Sequence, residues 1–383
     1  MADHMPDDLS AAGRDLRAYT DALRPLHGVV RNIQGEWVLL RHALVVEAAC
    51  SDDRFSSAVS RHLQVPNGMD SAEHAAYREA LDRFLTPQAL APFHEGFRRL
   101  ARGLVSSLPR GVAVDAVSEV GVRFAVRAQS EWLGWPAAFE GRLVEWVAEN
   151  HAATRSGDES WTRKVAESFD DMIRGVLEPR RGAGPAAAAD DVTARLMRTE
   201  VNGRPLTDAE IVSVLRNWTG GDLGSIAQCI GVLLHYLATH PSAQDSLRSG
   251  MPEAETDAVI DEILRIDDPF VSNRRITTCP VTIGGVDLPR GARVKLNWTS
   301  ANRDEAVFGD PEVMDPVRNA DRNLVYGIGR HACPGRLLAT LEMRIALQAL
   351  LAATSAIVLA PWPPAERAVA PVGGWSRVPI VLQ

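Results

Sequence analysis

The sequence predicts a mainly α-helical protein carrying small β-sheets, and three observations lead there. From Thr207 to Pro241 apolar residues (Ile211, Leu215, Trp218, Ile226, Ile230, Leu233, Leu234, Leu237) keep helical spacing. Beyond Pro334, the run LLATLEMRIALQALLAA is rich in Leu and Ala, strong helix formers. Strand signals, by contrast, are short and punctuated by glycine, as in Val29–Leu40 and Ile283–Val286.

Taken in order, VVRNIQGEWVLL (Val29–Leu40) alternates around Gln34-Gly35 and reads as a β-hairpin, followed by a helix over about His42–Cys50. Pro66-Asn67-Gly68 marks a turn. The next helix, holding Met69–Arg78, puts His74 and Arg78 on one face. Such a pair is ordinarily a solvated surface; its functional reading is an anion clamp, because Arg offers paired donors to a carboxylate. Residues 90–175 read as several helices, with Trp132, Trp135, Trp146 and Trp161 as packing residues. Arg180–Asp191, RRGAGPAAAADD, reads as a surface loop between helices.

Thr207-Asp208-Ala209-Glu210 has the form of a capping box and opens the long helical pattern. At about 1.5 Å per residue it would reach about 50 Å, enough to cross the molecule. Gly220, Gly221 and Gly224 lie in its middle, each weakening it by about 1 kcal/mol relative to Ala. Close approach of a flat cofactor would explain that cost; a kink of packing value alone is the competing reading. Thr256–Ile266 forms a short helix with Glu262 and Arg265 on one face. Arg275-Ile276-Thr277-Thr278 begins a β region, and Gly284-Gly285 makes a hairpin turn.

The chemistry centres on Tyr326–Ala339, YGIGRHACPGRLLA. Pro334 suits the first position of a helix, so Cys333 falls at a helix N-terminus where free N–H groups favour a thiolate. Arg330 and His331 add cationic or donor character. A sulfur so placed is a metal ligand or a nucleophile. A dinucleotide loop fits poorly, since Ala332 stands where the third glycine is needed. A zinc site would need more ligands than His331 and Cys333. A cysteine hydrolase and an ordinary buried cysteine remain open on these residues alone. The full pattern, aromatic-Gly-x-Gly-x-His-x-Cys-x-Gly-x-x-Leu-Ala, resembles the haem-binding loop of the cytochrome P450 family, with Tyr326 where the family usually has Phe.

The resemblance extends over five segments in the right order, from about Val29 to the C-terminus. It implies the family's triangular helical prism, with haem b between the long central helix and the cysteine-loop helix. Cys333 would be the proximal iron ligand, and His74, Arg78, Arg275 and His331 would hold the propionates beside Tyr326 and Gly335. Glu262 and Arg265 match a structural Glu-x-x-Arg pair, with Arg318 as its third member, and Ala301-Asn302-Arg303-Asp304 fits the family's pattern. Phe270–Asn273 would line the substrate pocket, and Trp375, in Gly373-Gly374-Trp375-Ser376, would reach it. Gly220, Gly221 and Asp222 would sit beside the oxygen site. The family's acid–alcohol pair is not reproduced: either register on the glycines leaves Leu223 or Gly224 where a threonine belongs. Ser225 or Thr219 is the substitute at hand.

Composition narrows the rest. A 383-residue chain with 46% hydrophobic residues can bury a large core, and it reads as one domain over 1–383. A net charge of −8 argues against nucleic acid. The N-terminal MADHMPDDLSAAGRD has no signal-peptide character, no apolar run is long enough for a membrane span, and four scattered cysteines fit a reducing compartment, so the expected location is cytoplasmic. The resemblance implies electrons from NAD(P)H through a ferredoxin-type donor, with Arg330 and Arg336 as rim charges. The expected reaction is monooxygenation of a small organic or natural-product substrate in secondary metabolism. Oxidative aryl coupling on a peptide or polyketide, a peroxide-driven variant, and a non-catalytic haem binder or gas sensor are the alternatives.

Overall fold

The long helical pattern is a single helix, Asp208–Thr239, of 32 residues, and the molecule is built around it. The computed structural model describes residues 15–32, 34–60, 62–182, 190–369 and 372–383. The polar segment 1–14 and the middle of the Arg180–Asp191 stretch, 183–189, lie outside them.

The capping box is complete: the Thr207 hydroxyl accepts from the Glu210 N–H, and the Glu210 carboxylate accepts from the Thr207 N–H. Glu210 also binds Arg204 and the Tyr77 hydroxyl, which ties the helix Ser71–Leu81 to the start of the central helix. Further along, the central helix meets a π-helical turn, Ala116–Val122, that runs into the helix Arg123–Leu133. A Cβ on Gly121 would come within 2.7 Å of the Ala227 carbonyl, so the two backbones touch there and only glycine fits. Leu223, Ile230, Leu233 and Leu234 are fully buried in the main core, each contributing about 1.5–3 kcal/mol.

The helix Arg336–Ala353 follows the cysteine loop and packs on His94–Ser107 and Glu253–Ile266. A five-stranded sheet closes the other side, in the order Val29–Arg31, Trp37–Leu39, Arg293–Asn297, Ser272–Thr277, Phe55–Ser56. The first pair is the expected hairpin, with Val30 opposite Val38. Gly284 and Gly285 both take positive φ, 58° and 77°, as a type I′ turn requires. The β region around Arg275 begins earlier than its sequence suggested, at Ser272, and ends at Thr277, because pairing with Arg293–Asn297 extends it backwards. A strand also appears inside the helical stretch: Ala113–Asp115 pairs with Pro379–Leu382. Only a partner from the far end of the chain makes those residues a strand.

The Glu-x-x-Arg pair is buried as expected, but its third member is not Arg318. Arg265 donates twice to Glu262, at 2.8 and 2.9 Å, and once to the Asn302 carbonyl at 2.8 Å. The rest of the Glu262 carboxylate is satisfied by Asn319 Nδ2 at 2.7 Å and the Asp315 N–H at 3.0 Å. Asp315 caps a short helix, Pro316–Asn319, whose turn points Arg318 into solvent and Asn319 inward. A neutral amide therefore completes a buried ion pair whose net charge is already zero.

Candidate active site

A cavity of about 530 Å³ lies between the central helix, the cysteine loop and the strand Ser272–Thr277. On one side the Cys333 N–H donates to the Tyr326 carbonyl at 2.8 Å, which closes the loop. Gly327 and Gly329 take φ of 68° and 75°, and a Cβ on Gly329 would sit 3.2 Å from the Ala49 carbonyl and the Cys50 sulfur. The following helix starts at Arg336 with Gly335 as its N-cap, so Pro334 precedes the cap instead of opening the helix. The turn spent on Pro334 and Gly335 brings the Gly335 and Arg336 N–H groups to the Cys333 sulfur. That sulfur faces the cavity. The Tyr326 hydroxyl is bonded to Thr340 Oγ1 at 2.8 Å, and its ring lies under the Arg336 guanidinium.

A second group of residues forms a basic corner. Period-two alternation puts Asn273 and Arg275 on the cavity face of their strand. Arg275 is buried, donates to the Arg274 carbonyl at 2.8 Å, and pairs with no carboxylate among the described residues. Burial pulls its pKa below the ordinary arginine value, against some opposition from Asp70. His331 lines the same corner, bonded through Nε2 to Ser57 Oγ at 3.1 Å, with the His74 ring 4.1 Å from its own. Burial, then His74 and Arg275, lower the His331 pKa to about 4. Burial and Arg78 likewise lower that of His74. Both shifts favour the neutral imidazole, which offers hydrogen bonds and not charge. Arg78 donates to the Arg330 and Ala332 carbonyls, both at 3.0 Å, and to Asp82, so it braces the cysteine loop from outside the cavity wall.

The opposite wall is the middle of the central helix. Asn217, Gly220, Gly221, Asp222, Gly224, Ser225 and Gln228 face the cavity. Asp222 accepts from Gln129 Nε2, and burial raises its pKa to about 7, with Gln129 opposing the shift. Of the two candidate hydroxyls, Ser225 faces the cavity, whereas Thr219 is buried and bonded back to the Leu215 carbonyl. Leu223 is in the core, away from the cavity. Phe270, Val271, Ser272 and Asn273 line the cavity as expected. Trp375 does not. Its Nε1 donates to Asp267 Oδ2 at 3.0 Å, and its ring is held between His235 and Arg367. Val372 is the cavity residue from that turn.

Comparison with known proteins shows the family. The family model described as Cytochrome P450 matches residues 158–355. Cyclomarin C epoxidase CymV of Salinispora arenicola is 29% identical over 88% of this chain and 88% of its own length. Nocardicin C N-oxygenase of Nocardia uniformis subsp. tsuyamanensis is 30% identical over 98% of this chain and 95% of its own. The crystal structure of cytochrome P450 CYP101C1 superposes with a TM-score of 0.87 at 26% identity, covering 100% of this chain and 97% of that one. The chain belongs to the cytochrome P450 family. It is a haem-thiolate oxidoreductase, which draws electrons from NAD(P)H through redox partners and acts on small molecules.

The residues present fit a haem. The cavity is bounded by one sulfur, a buried guanidinium without a carboxylate partner, and a helix surface bared at Gly221, where a Cβ would meet nothing within 4 Å. Among the described residues no three His, Cys, Asp or Glu side chains gather into a metal cage. The expectation of a ready thiolate is corrected. Burial, then Asp222, raise the Cys333 pKa to about 11, and the two N–H groups and Arg78 recover only part of that. Because only the thiolate is a ligand, a metal at Cys333 would itself displace the proton. Two contributors lay beyond the sequence reading. Gln129 and His151 reach the site from neighbouring helices, and no local pattern marks either of them.

Proposed function

We propose that this P450 inserts oxygen into a small natural-product substrate, with Cys333 as the residue that would hold the iron of haem b. The observation that carries the reading is the Cys333 sulfur, held at the cavity by two backbone N–H groups opposite an unpaired, buried Arg275. When bound, a thiolate-ligated haem supplies oxidising power, because the sulfur pushes electron density toward O–O cleavage. Arg275 would carry the charge that balances a propionate, since an unpaired buried cation is costly. His331 and His74 would add neutral hydrogen bonds, and Arg78 would fix the loop that holds the sulfur. Tyr326 and Gly335 would border the ring, and a side chain at 335 would crowd the sulfur at 3.8 Å. Phe270 and Val271 give substrate an apolar wall, while Asn217, Ser225 and Asn273 give it polar contacts.

Asp222 Oδ1 lies 4.0 Å from where a Cβ on Gly335 would stand, so this carboxyl, with its pKa raised by burial to about 7, would act beside the sulfur and the rim of the ring. Gly220 and Gly221 would let the helix backbone approach the ring. Relatives of this chain named for epoxidation and N-oxygenation favour oxygen insertion over coupling. A ferredoxin-type donor would dock near Arg330 and Arg336, both 59% exposed. The enzyme would work in the cytoplasm as one domain; among the described residues no helix is long and apolar enough to cross a membrane. The decisive experiment is product mass after turnover with NADH and a surrogate ferredoxin system. A gain of one oxygen is expected; loss of two hydrogens without oxygen would replace this reading by coupling, and no product at all by binding.

A further inference from the structure

The three glycines of the central helix have different neighbours, and one neighbour is chemically active. A Cβ on Gly220 would rest 3.4 Å from the Trp146 ring, and one on Gly221 would meet nothing within 4 Å. A Cβ on Gly224 would lie 2.9 Å from His151 Nε2, closer than side-chain carbons tolerate. His151 belongs to the helix Glu140–Ser156, is half-buried and lines the same cavity as Gly224 and Ser225. Its imidazole therefore occupies the space that any side chain at position 224 would fill. The two helices mesh through a pair of such fits, Trp146 against Gly220 and His151 against Gly224. Trp146 is itself fixed by stacking on Phe169 at 4.0 Å and by donating to the Val165 carbonyl at 3.0 Å.

We propose that His151 supplies, from this neighbouring helix, the distal hydrogen-bonding group that the central helix lacks at position 224. The inference rests on the haem reading above. An imidazole, like an alcohol, can both donate and accept a hydrogen bond. Moving that group to another helix keeps its chemistry and leaves Ser225, one position on, facing the same cavity. It also explains why glycine, costly in a helix by about 1 kcal/mol, is found at 224. Restoring a threonine there would not repair the helix; it would evict the imidazole.

The test uses the reduced holoprotein with carbon monoxide as probe, reading the C–O stretching frequency by infrared spectroscopy. A hydrogen-bond donor facing the ligand lowers that frequency. His151→Phe is expected to shift it to higher wavenumber, and His151→Gln, which keeps an N–H, to hold it nearer the wild-type position. In a His151→Ala/Gly224→Thr double variant the hydroxyl enters the vacated notch, and the frequency should move back toward wild type. An unchanged frequency in His151→Phe overturns the proposal. Should that variant fail to take up haem, Gly224→Ala makes the same test by crowding the imidazole out, and no shift there is equally fatal. A wild-type protein without the red-shifted thiolate absorption band would instead sink the haem reading itself.

Discussion

The two walls of the cavity are made in opposite ways. The cysteine side is one continuous stretch, Tyr326–Ala339, whose shape is set by its own backbone: two left-handed glycines, a 2.8 Å bond from Cys333 to Tyr326, and N–H groups turned onto the sulfur. The opposite side is assembled from separate helices, with Asp222 and Ser225 from the central helix, Trp132 from Arg123–Leu133 and His151 from Glu140–Ser156, and with Gln129 bonded to Asp222 from behind. A contiguous loop carries its ligand chemistry in a readable order. An assembled wall can exchange a side chain on one helix for a side chain on another, as Gly224 and His151 do.

The largest effect should come from breaking the contiguous side at its sulfur. Cys333→Ala is expected to abolish the red-shifted absorption band of the reduced, carbon monoxide-bound protein. Asp222→Asn, a change on the assembled side, should leave that band in place. A band that survives Cys333→Ala would remove the basis for calling this wall the ligand side.

Next comes the scaffold beneath the loop. Arg265 is fully buried and satisfies both Glu262 and the Asn302 carbonyl, while Asn323 and Leu324, just before the loop, are tied to Asp261 and Asn302. Removing one partner strands a buried charge, so Arg265→Ala should cost about 3–5 kcal/mol in denaturant unfolding. Arg318→Ala, at the exposed position, should be close to neutral. Equal losses in the two variants would restore Arg318 to the network in place of Asn319.

This contrast explains what could be read from the sequence. The central helix, its capping box and both hairpins depend on residues near one another in the chain and appear as expected, as does the cysteine loop except that its helix opens at Arg336 and not at Pro334. Arg318 was misplaced by one residue because a motif fixes an approximate distance along the chain, whereas the turn after Asp315 decides which side chain points inward. Trp375 was expected at the cavity because it follows a Gly-Gly turn, but Asp267, His235 and Arg367 offer its indole a better site. The thiolate expectation failed on magnitude: burial outweighs two N–H groups and a distant Arg. Gln129 lies 93 positions from Asp222, and nothing local to either residue announces the pair.

The smallest effect concerns Glu342, which sits on the cysteine-loop helix yet feels the opposite wall. It is fully buried, and neither carboxyl oxygen has a hydrogen-bond partner among the described residues. Burial, and then the charge of Asp222, push its pKa well above the ordinary value of 4.5. The fold therefore favours the protonated form of Glu342, while the unfolded chain ionises it freely. A raised folded pKa means that its contribution to stability is complete below about pH 4.5 and is progressively lost as pH rises toward the folded value. Replacing it with an apolar side chain of similar volume removes that loss together with an unpartnered buried polar group, worth about 1–3 kcal/mol. Glu342→Met should thus raise the melting temperature, by more at pH 8 than at pH 5. A gain independent of pH would show that Glu342 is already ionised in the fold, and that the two walls are not joined electrostatically through this helix.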